Sequence, residues 1–187
     1  MTITKQQDGT RGTEKDAAQE SASALEPLCL EDLSVGDRWI SEFREVTSED
    51  VANFATLTGD HDPLHCADGD HRTFGEPIAH GLLGLSVLAG LSSRAPQVAT
   101  LALIGISDWQ FEAPLFFGDR VQVVTEIEGI QKHGRRAGRI TWQRQLLNQD
   151  GRVLQRGRFI SLVASRNRNR HDFIKGATDK IRRVSPR

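Results

Sequence analysis

The chain has 187 residues, 37% of them hydrophobic and 26% charged, with a formal net charge of −1. This is the composition of one globular domain with tails, and it excludes fibrous and collagen-like readings. The longest weakly polar stretch, Pro77 to Ser92, spans 16 residues and includes three glycines, short of the roughly 20 apolar residues that a membrane-spanning helix needs.

Cys29 and Cys66 are the only thiols, and Met1 to Gly12 has no apolar signal region. A reducing, cytoplasmic setting without disulfides is therefore expected. Residues 1–26 are rich in Gln, Thr, Ser, Ala and Glu and predict a disordered tail, because such a composition buries too little surface to offset chain entropy. From Arg166 to Arg187 eight Lys/Arg face two Asp. Neither aromatic interleaving nor a zinc or helix-turn-helix signature accompanies them, so a solvated basic tail is expected and no nucleic-acid partner. The domain itself is expected over 27–165.

Leu33-Ser-Val-Gly-Asp37 reads as a turn leading into a strand from Trp39 to Val46. Thr47-Ser-Glu-Asp50 then offers a hydroxyl cap and early acids ahead of Val51, Phe54, Ala55 and Leu57 at helical spacing, and Thr58-Gly59-Asp60 stops that helix. Residues 60–76 follow neither period and predict a loop. From Pro77 the run Ile78, Ala79, Leu82, Leu83, Leu85, Val87, Leu88, Ala89 and Leu91 predicts a helix buried on all sides, with Pro77 in its first turn. Gly81, Gly84 and Gly90 within it suggest close approach by another element or a ligand. Leu101 to Glu112, Val121 to Gln131, Arg139 to Leu147 and Arg152 to Ala164 read as strands, joined at Phe117-Gly-Asp119, His133-Gly134 and Asn148 to Gly151. The class is α+β, an antiparallel meander wrapped around one buried helix.

The chemistry is concentrated in Thr58-Gly-Asp60-His-Asp62-Pro63-Leu64-His65 and in His80-Gly81, fifteen residues after His65. An Asp with a His five residues on can converge on one water molecule, one group taking a proton while the other orients or returns one. A helix amino terminus nearby supplies free N–H groups and a positive dipole end for a developing oxyanion. The same residues allow plainer readings. Asp60 and Asp62 are also natural turn formers before Pro63. His61 and His65 could share a metal ion, although Pro63 disfavours the regular helix that this spacing requires. His80 suits capping or packing, His71 and His133 suit solvent, and Trp109, Phe111, Phe116 and Phe117 suit core, interface or an acyl tunnel.

These two blocks, with Pro77-Ile-Ala-His80-Gly81-Leu-Leu written out in full, resemble the signature of MaoC-like dehydratases and (R)-specific enoyl-CoA hydratases. The resemblance extends from about Leu33 to about Ala164. It implies a hot-dog fold, a long central helix wrapped by a curved antiparallel sheet, assembled as a homodimer or larger even oligomer. It implies further that Asp60 and His65 activate water, and that the Gly81 N–H holds the carbonyl of an acyl-CoA or acyl carrier protein thioester. Asp62 and His80 then fall among the substrate-binding positions, and neither a metal nor a dissociable cofactor is expected. The reaction implied is interconversion of a trans-2-enoyl thioester and its (R)-3-hydroxyacyl thioester. Asp62 departs from the family's usual asparagine: an ionised aspartate only accepts hydrogen bonds, whereas an amide also donates. A non-catalytic acyl-thioester-binding subunit and a thioesterase are the alternatives.

Overall fold

Period-two alternation builds the centre of the structure. Val121, Val123, Thr125 and Ile127 on one strand, and Ile140, Trp142 and Leu146 on the next, turn to the same face and are buried. The computed structural model describes residues 26–69 and 73–166. The expected tails therefore lie outside the described residues, apart from Glu26 and Arg166, as does His71. The strands are β1 (Arg38–Ile40), β2 (Arg44–Glu45), β3 (Thr100–Phe111), β4 (Arg120–His133), β5 (Ala137–Leu147) and β6 (Val153–Ala164), and the α-helices are α1 (Ser48–Thr58) and α2 (Gly81–Ser92). The sheet is antiparallel in the order β1-β4-β5-β6-β3, with β2 also on β4.

Only β4, β5 and β6 form the expected meander. β3 crosses to the far edge and pairs with β6, so the four strands lie side by side in the order β4-β5-β6-β3 and not in their order along the chain. The strand expected from Trp39 to Val46 is two pieces. Ser41 keeps the register through its N–H to Val123 O and by accepting the Val123 N–H on its Oγ, while β2 resumes at Arg44.

The central helix starts at Gly81, four residues later than expected, with His80 as its N-cap. The N–H groups of Ile78 and Ala79 go instead to Leu64 O and Leu115 O, and Ile78 bridges to Phe116. Pro77 thus precedes an extended segment and not a first helical turn. Nor is α2 buried on all sides: Leu83, Val87 and Leu88 pack over β4 and β5, while Leu82 is 60% exposed. Two of its three glycines meet the expected close neighbours. A Cβ on Gly84 would lie 2.2 Å from Gln155 Nε2, and one on Gly81 would lie 2.9 Å from the Phe111 ring; Gly90 has open space. No helix among the described residues is long and apolar enough to cross a membrane.

α1 carries the chain to the candidate site, and its start is closed reciprocally. Asp50 N–H donates to Thr47 Oγ1 at 3.1 Å, and Thr47 N–H donates to Asp50 Oδ2 at 3.0 Å. Arg44 Nη2 adds a 2.6 Å bond to Asp50 Oδ1. Burial opposes ionisation of Asp50, but the Thr47 N–H and the Arg44 guanidinium outweigh it and hold the carboxyl below its ordinary range. Because the folded pKa is depressed, the stabilisation is present above the unfolded value, about 3.9, and is lost as pH falls through the folded one. Asp50→Ala is expected to lower stability by about 1 kcal/mol near neutral pH. Its deficit against the unsubstituted protein should shrink as pH falls below the unfolded value and through the depressed folded one, read as melting temperature against pH.

Candidate active site

Where α1 ends, Gly59 adopts a left-handed conformation at φ 78° and returns its N–H to Ala55 O at 2.8 Å. The chain then turns by local side-chain bonds. Asp60 Oδ1 accepts the Asp62 N–H at 3.3 Å, and Asp62 Oδ1 accepts the Leu64 N–H at 2.9 Å, capping a single 3₁₀ turn over Pro63–His65. Aspartate at 62 is therefore used as an acceptor, a task that the carbonyl of an asparagine side chain performs equally.

Three bonds tie this loop to the segment that enters α2. The Ile78 N–H meets Leu64 O at 3.3 Å, His65 Nδ1 lies 2.7 Å from Ile78 O, and His80 Nε2 lies 3.0 Å from Asp60 O. Carbonyl oxygens only accept, so His65 carries its hydrogen on Nδ1 and His80 on Nε2. In its neutral form His65 thereby keeps the Nε2 lone pair free for proton transfer. The two imidazoles stack with centroids 3.8 Å apart at 30°, and Phe54 closes the other side of His80 at 5.1 Å.

His80 is 2% exposed, whereas the Asp60 side chain is 53% exposed and its Oδ2 lies 3.9 Å from His80 Nε2. His80 thus turns its Nε2 toward Asp60 and presents almost no surface. Its Nδ1 is buried without a hydrogen-bond partner. Asp60, His61 and His65 line an open cleft of about 560 Å³ between α1, the loop and Phe117. A smaller cavity of about 260 Å³ at the far end of α2 is lined by none of these residues.

Asp60, His65 and His80 bring one donor atom each within 4.8 Å of the others, close enough for a cation. One nitrogen of each ring, however, is already committed to a backbone carbonyl, His65 Nδ1 to Ile78 O and His80 Nε2 to Asp60 O. Of the histidine pair weighed as a metal site from sequence, His65 belongs to this cluster and His61 does not. His61 and His133 are exposed.

Gly81 opens α2, and its N–H belongs to the first turn, where helical hydrogen bonding supplies no acceptor. Its environment contains two residues that the motif did not suggest. Phe111 covers it from β3, and buried Gln155 on β6 donates Nε2 to Gly81 O at 3.0 Å. Gln155 could have been found as a polar side chain at an inward position of an alternating strand; Phe111 is one of the aromatics that the sequence suited to core, interface or an acyl tunnel.

A family model described as MaoC like domain matches residues 38–145. The chain belongs to the MaoC-like family. Over 116 residues it is 34% identical to a 3-hydroxybutyryl-CoA dehydratase of Methylorubrum extorquens, covering 60% of this chain and 72% of that protein. It is 33% identical over 85 residues to an (R)-specific enoyl-CoA hydratase of Aeromonas caviae, covering 44% and 63%. Its fold matches the MaoC-like dehydratase of Rhodospirillum rubrum with TM-score 0.69 at 28% identity, over 75% of this chain and 99% of that one. A Mycobacterium tuberculosis protein with a double hot-dog fold matches with TM-score 0.65 at 19% identity, over 77% and 46%. The sheet and helix described above are thus a hot-dog fold of the MaoC-like kind.

The use of Asp62 as a cap separates its shape from its charge. Asp62→Asn is expected to retain melting temperature and any turnover. Asp62→Ala, which leaves the Leu64 N–H without its acceptor, should cost about 0.5–1 kcal/mol and reduce turnover by loosening the loop. Equal damage from the two substitutions would mean that the carboxylate itself is required.

Proposed function

We propose that the protein is a hydro-lyase of acyl thioesters, adding water to a trans-2-enoyl thioester to give the (R)-3-hydroxyacyl thioester and catalysing the reverse dehydration. The observation that carries this reading is the arrangement of His65, held by Ile78 O with its Nε2 lone pair free, beside the exposed carboxylate of Asp60. Its relatives named as a 3-hydroxybutyryl-CoA dehydratase and an (R)-specific enoyl-CoA hydratase support it.

In this reading the first-turn N–H of Gly81 donates to the thioester carbonyl. Water held between Asp60 and His65 loses a proton to the pair as its oxygen bonds the β-carbon. The π electrons move toward the carbonyl oxygen, and the α-carbon then takes a proton back from the pair, so that one water is added overall. His80 acts as a positioning residue: its N–H grips the Asp60 carbonyl and its ring supports His65. Asp62 shapes the turn and gives no direct contact to substrate. The carrier is coenzyme A or an acyl carrier protein.

The unit that works is a homodimer or a larger even oligomer. β3 is paired on one side only, and Leu103, Ile104, Ile106 and Phe111 on it are 39–55% exposed, as is Leu82 of α2 at 60%. A long apolar edge of this kind is covered in a stable protein. Light scattering at micromolar concentration is expected to give twice the chain mass or a higher even multiple; a sharp monomer would refute the assembly.

Asp60→Asn and His65→Gln preserve shape and remove proton-transfer capacity. Each is expected to reduce loss of the enoyl-thioester chromophore by about 10²-fold or more without changing the circular dichroism spectrum. Release of free thiol in place of chromophore loss would identify a thioesterase. Absence of turnover across chain lengths and both carriers would identify a binding subunit.

A further inference from the structure

The inward face of β5 reads Ile140, Trp142, Arg144 and Leu146, an apolar row interrupted by one cation in the middle of the sheet. The guanidinium of Arg144 lies against Phe159 at 4.5 Å and Trp142 at 5.7 Å from the ring centroids. Its Nε is buried with no hydrogen-bond partner. Among the described residues no carboxylate pairs with it, and the only influence on its acidity is burial, which lowers the pKa to about 10. It remains a cation at neutral pH. A partly buried cation with aromatic rings beside it but no carboxylate partner costs stability, so a fold that keeps one calls for a physical reason.

Arg144 forms part of the wall of the 260 Å³ cavity, together with Ala89 and Ser92 of α2, Thr100 and Leu103 of β3, and Phe159 and Ser161 of β6. The lining contains no Asp or Glu. Ser161 Oγ accepts the Trp142 indole N–H at 2.8 Å, which leaves its own hydroxyl hydrogen to donate. The cavity therefore presents a cation and a hydroxyl donor within apolar walls.

It is also aligned with the candidate site. Gly81, Leu85, Ala89 and Ser92 recur every three or four residues and form one stripe of α2. α2 packs over β4 and β5, and β3 runs from Thr100 and Leu103, which line the cavity, to Phe111, which lies against Gly81. From Gly81 to Ala89 the helix advances about 12 Å, within reach of a medium-length acyl chain.

We propose that the Arg144 cavity receives the far end of the acyl chain and selects substrates that end in a carboxylate. The proposal rests on the hydro-lyase reading for its substrate and names the class that the site prefers. The carboxylate pairs with the Arg144 fork and accepts from Ser161, while the methylene chain lies along Leu85 and Ala89. Aromatic stacking holds the guanidinium in place before the ligand arrives.

The test compares enoyl-CoA pairs of equal chain length that end in methyl or carboxylate. The unsubstituted protein is expected to favour the carboxylate by about tenfold or more in kcat/KM, the scale of a charge-assisted hydrogen bond. Arg144→Met should abolish or invert that ratio, chiefly through KM, and Arg144→Lys should retain part of it. Calorimetric titration with the saturated acyl-CoA pair reads the same preference without turnover, so failure of hydration and failure of this proposal are separable. Equal binding of the two saturated ligands by the unsubstituted protein overturns it, whether or not Arg144→Met folds. So does a lowered melting temperature of Arg144→Met with the ratio unchanged, which would make Arg144 a partner of the α2 carboxyl end only.

Discussion

The hydrogen bond from His80 to the carbonyl of Asp60, 3.0 Å long, joins two segments that are twenty residues apart in the chain. Residues 60–66 have no lattice of helix or strand to hold them beyond one 3₁₀ turn, so their position depends on what they are tied to. The tie is the extended segment before α2, itself anchored by the Ala79 N–H on Leu115 O at 2.7 Å. That bond also explains the late start of the helix: residues 78 and 79 spend their N–H groups on neighbouring chain, and the helix forms only where those obligations end.

The same tie decides protonation. A backbone carbonyl facing His65 Nδ1 selects one tautomer, and stacking on His80 selects one ring orientation. Neither depends on the Asp60 carboxylate, which is left half exposed beside them. The candidate site therefore divides into a buried support made of His80, Phe54 and Ile78 and an open working surface made of Asp60, His65 and the first turn of α2. Gln155 and Phe111 extend that support to Gly81 from the sheet side, and a Cβ at 84 or 81 would displace them.

Away from the loop, one row of the sheet departs furthest from apolar packing. Thr125, Arg144 and Gly157 lie side by side across β4, β5 and β6, and Thr125 Oγ1, like Arg144 Nε, is buried without a partner. Apolar residues in that row would have been the more stable choice. Polar groups retained against that preference, under a helix whose first turn belongs to the candidate site, suit a fold that leaves room for a polar ligand end.

Much of the architecture was legible in the chain itself, because strand alternation, the Thr47 cap, the turn at Gly36 and the Asn148–Gly151 hairpin are set by neighbours within a few residues. That Asp60 and His65 come within 4.8 Å of each other was legible for the same reason, five residues of stiff loop with Pro63 inside it. Tertiary structure alone decided the rest. β3 lies at the far edge of the sheet because pairing partners are chosen across the whole sheet, not by order in sequence. α2 begins at Gly81 because Leu64 and Leu115 compete for the N–H groups before it, and it is covered on one face only because the sheet reaches only that face. Asp62 accepts from the Leu64 N–H two residues on, as its place before Pro63 suggested, and His80 has the capping and packing role its type suited; the partner of His80 at Asp60 O and the place of Arg144 beneath the helix depend on atoms brought together from distant positions, and no local pattern in the sequence records them.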